Sequence, residues 1–273
     1  MENKITQKTE SPSLILAQRL TKIKQRLTNC KSIEEGDISE LNSIICMMES
    51  QERYLDECTS FESSDLSKLN KLTMQTDWNQ IFLEKKSNVR LMTQMMSSKL
   101  SGQLLKMLVT MSGAKKILEL GLFSGYSALA MAEGLPEEGK LISCEIDPYA
   151  AAFARTYLDS TSYGKKVQIR LGPALNLLDN FKLEGESFDF VFIDAKKTEY
   201  KKYVTKIIAN RLITKQSILC IDNVFMKGAS FSKFEKQTKG SSEVKQMNQL
   251  LASEKFFTVM LPVRDGMTIS KLR

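Results

Sequence analysis

Histidine is absent from all 273 residues. That excludes a Ser-His-Asp triad, a Cys-His dyad, a histidine-bearing zinc site and a histidine general base. Proton transfer must fall to Lys, Tyr, Asp, Glu or Cys, and any metal must be held mainly by oxygen, which favours hard ions. Cysteine is scarce and odd in number: Cys30, Cys46, Cys58, Cys144 and Cys220, with no CxxC pair. Neither a disulfide framework nor a zinc site is signalled. No apolar run approaches the roughly 18 residues of a membrane span, and the start, MENKITQKTE, lacks the apolar core of a secretion signal. A reducing cytoplasm is the expected location. Hydrophobic residues make up 42% and charged residues 26%, which excludes wholesale disorder, collagen and coiled coil. Repeats and low-complexity tracts are also missing.

What is present is a mildly basic chain, with 39 Lys and Arg against 32 Asp and Glu. Its lysine pairs (Lys115-Lys116, Lys165-Lys166, Lys201-Lys202) are not interleaved with aromatics as in a nucleic-acid stacking groove. Neither a nucleic-acid partner nor a membrane is expected. Apolar positions Leu16, Leu20, Ile23 and Leu27 mark a helix over 13–29. It is basic, through Arg19, Lys22, Lys24 and Arg26, and the reading prefers core or dimer packing over a membrane role. A second helix is expected over 37–53, and a third and fourth up to about residue 90. From residue 100, strand-like runs (115–121, 140–147, 166–172, 188–195, 217–224) alternate with helical ones (125–135, 148–158, 173–181, 198–212), and a further helix is expected near 243–254. The strands are near-continuous apolar runs, as in a parallel sheet covered on both faces. Two more strands follow at the end, with an Asp265-Gly266 turn signal between them. The expected fold is α/β: a doubly wound, seven-stranded, mostly parallel sheet over 95–273, preceded by a helical extension over 1–94.

The richest segment is Ile117-Leu-Glu-Leu-Gly-Leu-Phe-Ser-Gly-Tyr-Ser127, a strand, a glycine-bearing loop and a helix start. Open α/β sheets bind ligands at the carboxyl ends of their strands. Gly121 and Gly125 make neither GxGxxG nor GxxxxGK[ST], so no pyrophosphate cradle is presented. Glu119, just before the turn, suits a cationic ligand. Glu145 ends the next strand, where a carboxylate grips ribose hydroxyls. A ligand with a ribose, a cation and no phosphate is S-adenosylmethionine.

These residues resemble the class I methyltransferases, specifically the metal-dependent catechol and caffeoyl-CoA O-methyltransferases. The likeness is carried by Gly102-Gln103, Glu119-Leu-Gly-x-x-x-Gly-Tyr-Ser127, Glu145-Ile146, Phe192-Ile-Asp194-Ala, Asp222-Asn223 and Leu261-Pro-Val-Arg-Asp-Gly266. A closer likeness, in YLDECTSFES, GQLLKM, GYSALAMAEGLPEEGKLISCEID and LPVRDGMTI, is to the O-methyltransferases of cyanobacterial mycosporine-type sunscreen pathways, which methylate a cyclohexenone enol to give 4-deoxygadusol. The resemblance implies that Gly121, Gly125 and Tyr126 line the cofactor cleft and Glu119 faces its methionine end. Ser127 would bond the cofactor carboxylate, Glu145 the ribose and Ile146 the adenine. Ala174 would present backbone to the adenine edge, with Ser97 and Asp194 contributing further contacts. It also implies a small-molecule substrate and a homodimer, with the N-terminal helices near the partner's site or over the chain's own cleft.

Asp194 ends the fourth strand and Asp222-Asn223 end the fifth. Two carboxylates and an amide oxygen with open positions suit Mg²⁺ or a similar divalent ion, which would activate and orient an acceptor hydroxyl. Lys197 matches the family's catalytic lysine. The family often reads Asp-Ala-Asp-Lys here, whereas this chain reads Asp194-Ala-Lys196-Lys197, so a lysine replaces an acid beside the metal position. Two other readings compete with the small-molecule O-methyltransferase. One is a nucleic-acid methyltransferase, for which Asp147-Pro148-Tyr149 is a look-alike after the wrong strand. The other is a non-catalytic S-adenosylmethionine-binding protein disabled by Lys196.

Overall fold

The computed structural model describes residues 11–27 and 35–273; most of the polar start expected to fray, and Cys30, lie outside them. Helices lead: α1 (Pro12–Leu27), α2 (Glu35–Cys58), α3 (Ser64–Gln75) and α4 (Trp78–Leu83). α2 outruns the expected 37–53, because Tyr54-Leu-Asp-Glu-Cys58 contains no breaker. α3 starts where the Ser63 hydroxyl accepts from Leu66 N–H. Next come α5 (Lys99–Ser112), β1 (Lys116–Leu120), α6 (Tyr126–Gly134), β2 (Lys140–Glu145), α7 (Pro148–Leu158) and β3 (Val167–Leu171). α8 (Ala174–Leu183), β4 (Phe190–Ile193), α9 (Tyr200–Ala209), β5 (Ile218–Asp222), α10 (Lys239–Leu251), β6 (Phe256–Leu261) and β7 (Met267–Leu272) complete the chain. α10 begins four residues before the expected 243, since Thr238 and Ser241 form a reciprocal cap.

The sheet has the seven strands expected, in the order β3-β2-β1-β4-β5-β7-β6. Only the β5–β7 and β6–β7 pairings are antiparallel. The Asp265-Gly266 signal is met within a longer connection, 262–266, where Arg264 (φ 51°) and Gly266 (φ 84°) take left-handed backbone.

The central strands are buried on both faces, and alternate side chains feed two cores. Ile117, Phe190 and Phe192 meet Leu105 and Val109 of α5 and Ala128 and Met131 of α6. Leu118, Leu120, Val191 and Ile193 meet α8, α9 and α10 through Phe181, Tyr200, Ile207 and Met247. α6 is buried from Tyr126 to Ala132. It can lie so close to α5 because Gly102 has no side chain; a Cβ there would sit 2.8 Å from the Tyr126 ring. A smaller core, Trp78, Ile81, Leu91 and Ala150, clamps α4 to α7. Trp78 stands 4.8 Å from Phe123 and 4.9 Å from Phe153, ring to ring.

The N-terminal helices bend back onto the chain's own loops. Arg19 of α1 makes two bonds to Glu235 (2.6 and 2.9 Å). Glu52 of α2 bonds Arg264 at 2.5 Å, with both side chains largely buried. These bonds tie α1 to the 225–240 loop and α2 to the β6–β7 connection of the same chain. Among the described residues, no helix is long and apolar enough to cross a membrane.

Candidate active site

β1 pairs with β2 on one side and β4 on the other, so the connections leaving β1 and β4 diverge and open a crevice between them. Gly121 (φ 96°) sits at its floor: a Cβ there would lie 2.1 Å from the Asp194 carbonyl oxygen. Only glycine lets the two loops touch. The crevice is lined by Met96, Ser97, Gly121, Phe123, Ser127 and Asp194, among others.

Glu119 is wholly buried under this loop. Its carboxyl accepts from Ser127 Oγ (2.6 Å) and Ser143 Oγ (2.5 Å). Burial pushes its pKa up to about 8, the two hydroxyls only partly opposing it and the charges of Asp194 and Glu145 adding to it. With no ligand beside it, Glu119 is mostly neutral at pH 7. A ligand cation would draw the proton off.

Two of the expected cofactor contacts have partners within the chain. Ser127, expected to bond the cofactor's carboxylate, donates its hydroxyl to buried Glu119. An anion at this point is left with the first-turn N–H groups of α6. Glu145 was to hold ribose hydroxyls, yet its carboxyl is ringed by backbone. Oε2 accepts from Leu122 N (3.1 Å) and Phe123 N (2.9 Å), and Oε1 from Ile146 N (2.8 Å) and Asp147 N (2.9 Å). Those four bonds match a carboxylate's acceptor capacity, so Glu145 braces the cofactor loop and a ribose would have to share or displace its donors. The Tyr126 ring borders the crevice, but its hydroxyl donates to Glu62 Oε1 at 2.5 Å. Ser97 is buried at the crevice wall. Ile146 is exposed beside Glu145, and Ala174, half-buried, opens α8. Asp147 caps α7 by accepting from Ala150 N (2.9 Å), which explains the Asp-Pro-Tyr look-alike structurally.

The reaction end lies beyond Gly121. Lys197 Nζ is ion-paired with Asp194 Oδ1 and lies 2.7 Å from the Tyr200 hydroxyl. Asp222 is 5% exposed and accepts from Asn223 N at 2.7 Å. Asn223 adopts left-handed backbone (φ 59°), which Asn tolerates better than most residues. Burial and the charge of Asp194 push Asp222 up to about 7, with Lys197 opposing. Asp265, from the β6–β7 connection, joins this cluster: it accepts from Lys227 N (2.7 Å), and burial pushes it up to about 6. Tyr200 is buried, and burial followed by the Asp194 charge drives its phenol well above the ordinary value. Lys196 points outward to Glu199 at 2.8 Å, its side chain 67% exposed. The lysine that departs from the family pattern is thus a solvated charge, not a third member of the cluster.

Among the described residues, no group of three or more His, Cys, Asp or Glu side chains is placed to hold a metal. Two carboxylates, Asp194 and Asp222, lie near one another, and Asn223 follows Asp222 in the chain. Their chemistry fits a hard cation: two acids crowded in a buried spot, one raised by the other's charge, with an ammonium already drawn to Asp194.

Ser143, Asp265, Tyr200, Glu62 and the Glu52–Arg264 pair carried no site role in the sequence, Asp265 entering only as a turn signal and, like Arg264 and Glu62, as part of a resembling stretch. Ser143 had a signal: strand register places it opposite Glu119, two residues before Glu145 as Glu119 is two before Gly121.

The doubly wound, mostly parallel sheet thus carries at its switch point a crevice with a buried acid, Glu119, bonded to one lining residue and a lysine paired with another, Asp194. Comparison makes that specific. The family profile described as O-methyltransferase matches residues 58–272. Caffeoyl-CoA O-methyltransferase 1 of Eucalyptus globulus is 32% identical over 180 residues, covering 62% of this chain and 72% of that protein. Catechol O-methyltransferase of Niastella koreensis is 40% identical over 128 residues, covering 46% and 57%. The crystal structure of the Podospora anserina methyltransferase PaMTH1 with bound SAH superposes with a TM-score of 0.69 at 25% identity, covering 83% of this chain and 95% of that one. The chain belongs to the O-methyltransferase family, class I enzymes that use S-adenosylmethionine.

Proposed function

We propose that this enzyme moves the methyl group of S-adenosylmethionine to a hydroxyl or enol oxygen of a small cyclic acceptor, with the enol demethyl-4-deoxygadusol of mycosporine-type sunscreen synthesis as the leading candidate. One observation carries the proposal: Ser127, which bonds buried Glu119, and Asp194, which pairs with Lys197, line one crevice whose floor is the Gly121–Asp194 contact.

The sulfonium carries a positive charge that the transfer removes. Glu119, buried and readily ionised by a neighbouring cation, holds the donor's charged end. The β1–α6 loop, braced by Glu145, sets the direction from which the methyl leaves. The acceptor oxygen attacks the methyl carbon as the carbon–sulfur bond breaks, and that electron pair returns to sulfur as a neutral thioether. The acceptor's proton passes to Lys197, which must first be freed of its own proton; Asp194 and the Tyr200 hydroxyl fix its position. Asp194, Asp222 and Asn223 would hold a divalent cation, Mg²⁺ by preference, whose chemistry is to acidify and orient adjacent acceptor oxygens. Orientation within the crevice contributes up to ~7–11 kcal/mol to lowering the barrier.

A catechol or caffeoyl-CoA-type acceptor is the second reading, favoured by the relatives of those names. We place the extension at 1–94 and the catalytic domain at 95–273, in the cytoplasm, where the free cysteines Cys46 and Cys58 would stay reduced. A homodimer is supported by apolar side chains left exposed around α5, Met107, Met111 and Phe61. The deciding experiment is a turnover screen of demethyl-4-deoxygadusol, caffeoyl-CoA and simple catechols with S-adenosylmethionine, with and without chelator. Methylation of the cyclohexenone alone supports the first reading and methylation of the catechols the second; no turnover on any of them overturns both.

A further inference from the structure

Residues 225–240 leave β5 directly after Asp222-Asn223 and return at the start of α10, where a Cβ on Gly240 would lie 3.5 Å from the Lys197 Cβ. This loop is a wall of the reaction end. Its outer surface exposes two phenylalanines: Phe234 is 87% exposed, and Phe231, edge-on to Phe225, 64%. Lys233, Lys236 and Lys239 stand exposed among them. Here, unlike at the lysine pairs elsewhere in the chain, single lysines alternate with aromatics.

α1 lies against the same loop through the Arg19–Glu235 bonds. It contains no acidic residue, and its outward face carries Leu16, half exposed, and Ile23 beside Lys22. Together, α1 and residues 225–240 hold eight Lys and Arg and a single acid, Glu235, which is taken by Arg19. α2, packed against α1, is acidic, with seven Asp and Glu against Arg53, so the exposed positive charge of this face is that of Lys22 and of the loop lysines Lys233, Lys236 and Lys239.

We infer that this face is a docking surface for an anionic lipid bilayer, so that the mouth of the reaction site rests on the membrane. Cations that draw a protein to acidic headgroups, with aromatic and aliphatic side chains able to enter the acyl boundary, are the composition that peripheral membrane binding requires. A cluster of bare phenylalanines on a soluble surface otherwise invites association. Nucleic acid fits less well. Stacking needs an open aromatic face, whereas Lys233 Nζ stands over the Phe234 ring at 5.2 Å, and Leu16 and Ile23 give a base nothing to stack on.

The test is co-sedimentation of the full chain with vesicles of phosphatidylcholine alone and of phosphatidylcholine containing one third phosphatidylglycerol, at low and high salt. It reads binding and not turnover, so its outcome is independent of the acceptor proposed above. Expected is binding to the anionic vesicles only, weakened by salt. Partitioning should drop about fivefold for each cation removed near the surface, hence at least about twenty-five-fold for K233E/K236E. F234S, at a side chain with almost no folded contacts, should weaken binding while leaving its salt dependence and the thermal melt unchanged. Equal partitioning of the parent and both variants, or no binding to anionic vesicles, overturns the inference. So does preferential binding of a single-stranded RNA that F234S does not affect, which would assign the face to nucleic acid.

Discussion

Replacing Glu119 by Gln tests the electrostatic core of the site. Burial raises Glu119 from an ordinary 4.5 to about 8, so in the empty protein at pH 6 about one molecule in a hundred carries the charge that attracts a cationic donor. Donor affinity should therefore climb with pH and level off near 8, gaining about fiftyfold from pH 6 to pH 8. Binding near pH 7 should release nearly one proton, measurable by titration calorimetry in buffers of different ionisation enthalpy. The folded carboxyl keeps a proton that the unfolded chain loses between about pH 4.5 and 8. Stability of the ligand-free protein should accordingly decline with rising pH across that window, by roughly 5 kcal/mol at most. Gln keeps the shape and can still accept from Ser127 Oγ, so E119Q should fold, lose this component of both pH dependences and bind the donor weakly at every pH. Asp222 and Asp265 also titrate within this range, so the diagnostic quantity is the difference between parent and variant. An identical pH slope and proton release in E119Q would refute the reasoning.

Lys197→Met should lower kcat by about 10²–10⁴-fold while leaving donor affinity within a few-fold, read by steady-state kinetics beside calorimetry. Gly121→Ala forces a Cβ to 2.1 Å from the Asp194 carbonyl at a left-handed φ; donor binding should be lost together with turnover, and the melting temperature should fall. Glu52→Gln removes the charge partner of a largely buried Arg264 and should cost about 1–3 kcal/mol in urea unfolding, less than a fully orphaned charge because Arg264 keeps other contacts.

The α/β core was legible because its strands are apolar runs bounded by Gly, Pro and acids, and because burial on both faces erases alternation in a recognisable way. The acids at strand ends were legible for a related reason. Glu119, Glu145, Asp194 and Asp222 interrupt or end apolar runs where hydrophobic burial alone gives no cause for a charge. What each acid bonds to was not legible. Glu145 is encircled by N–H groups of its own loop and of the loop after β1, a matter of backbone direction that side-chain identity does not encode. Glu52 and Arg264 are 212 residues apart and belong to a helix and a turn that each read as ordinary. The exposure of Phe231 and Phe234 was not legible either, because only the fold shows how little packs against them.

The chain's single tryptophan is 4% exposed and lies 4.8 Å from Phe123, a residue of the β1–α6 loop that lines the crevice. The molecule thus carries its own optical gauge. Any rearrangement of that loop changes the surroundings of the one indole, so ligand arrival can be followed by intrinsic emission in unlabelled protein, in real time and against no background from a second fluorophore of its kind.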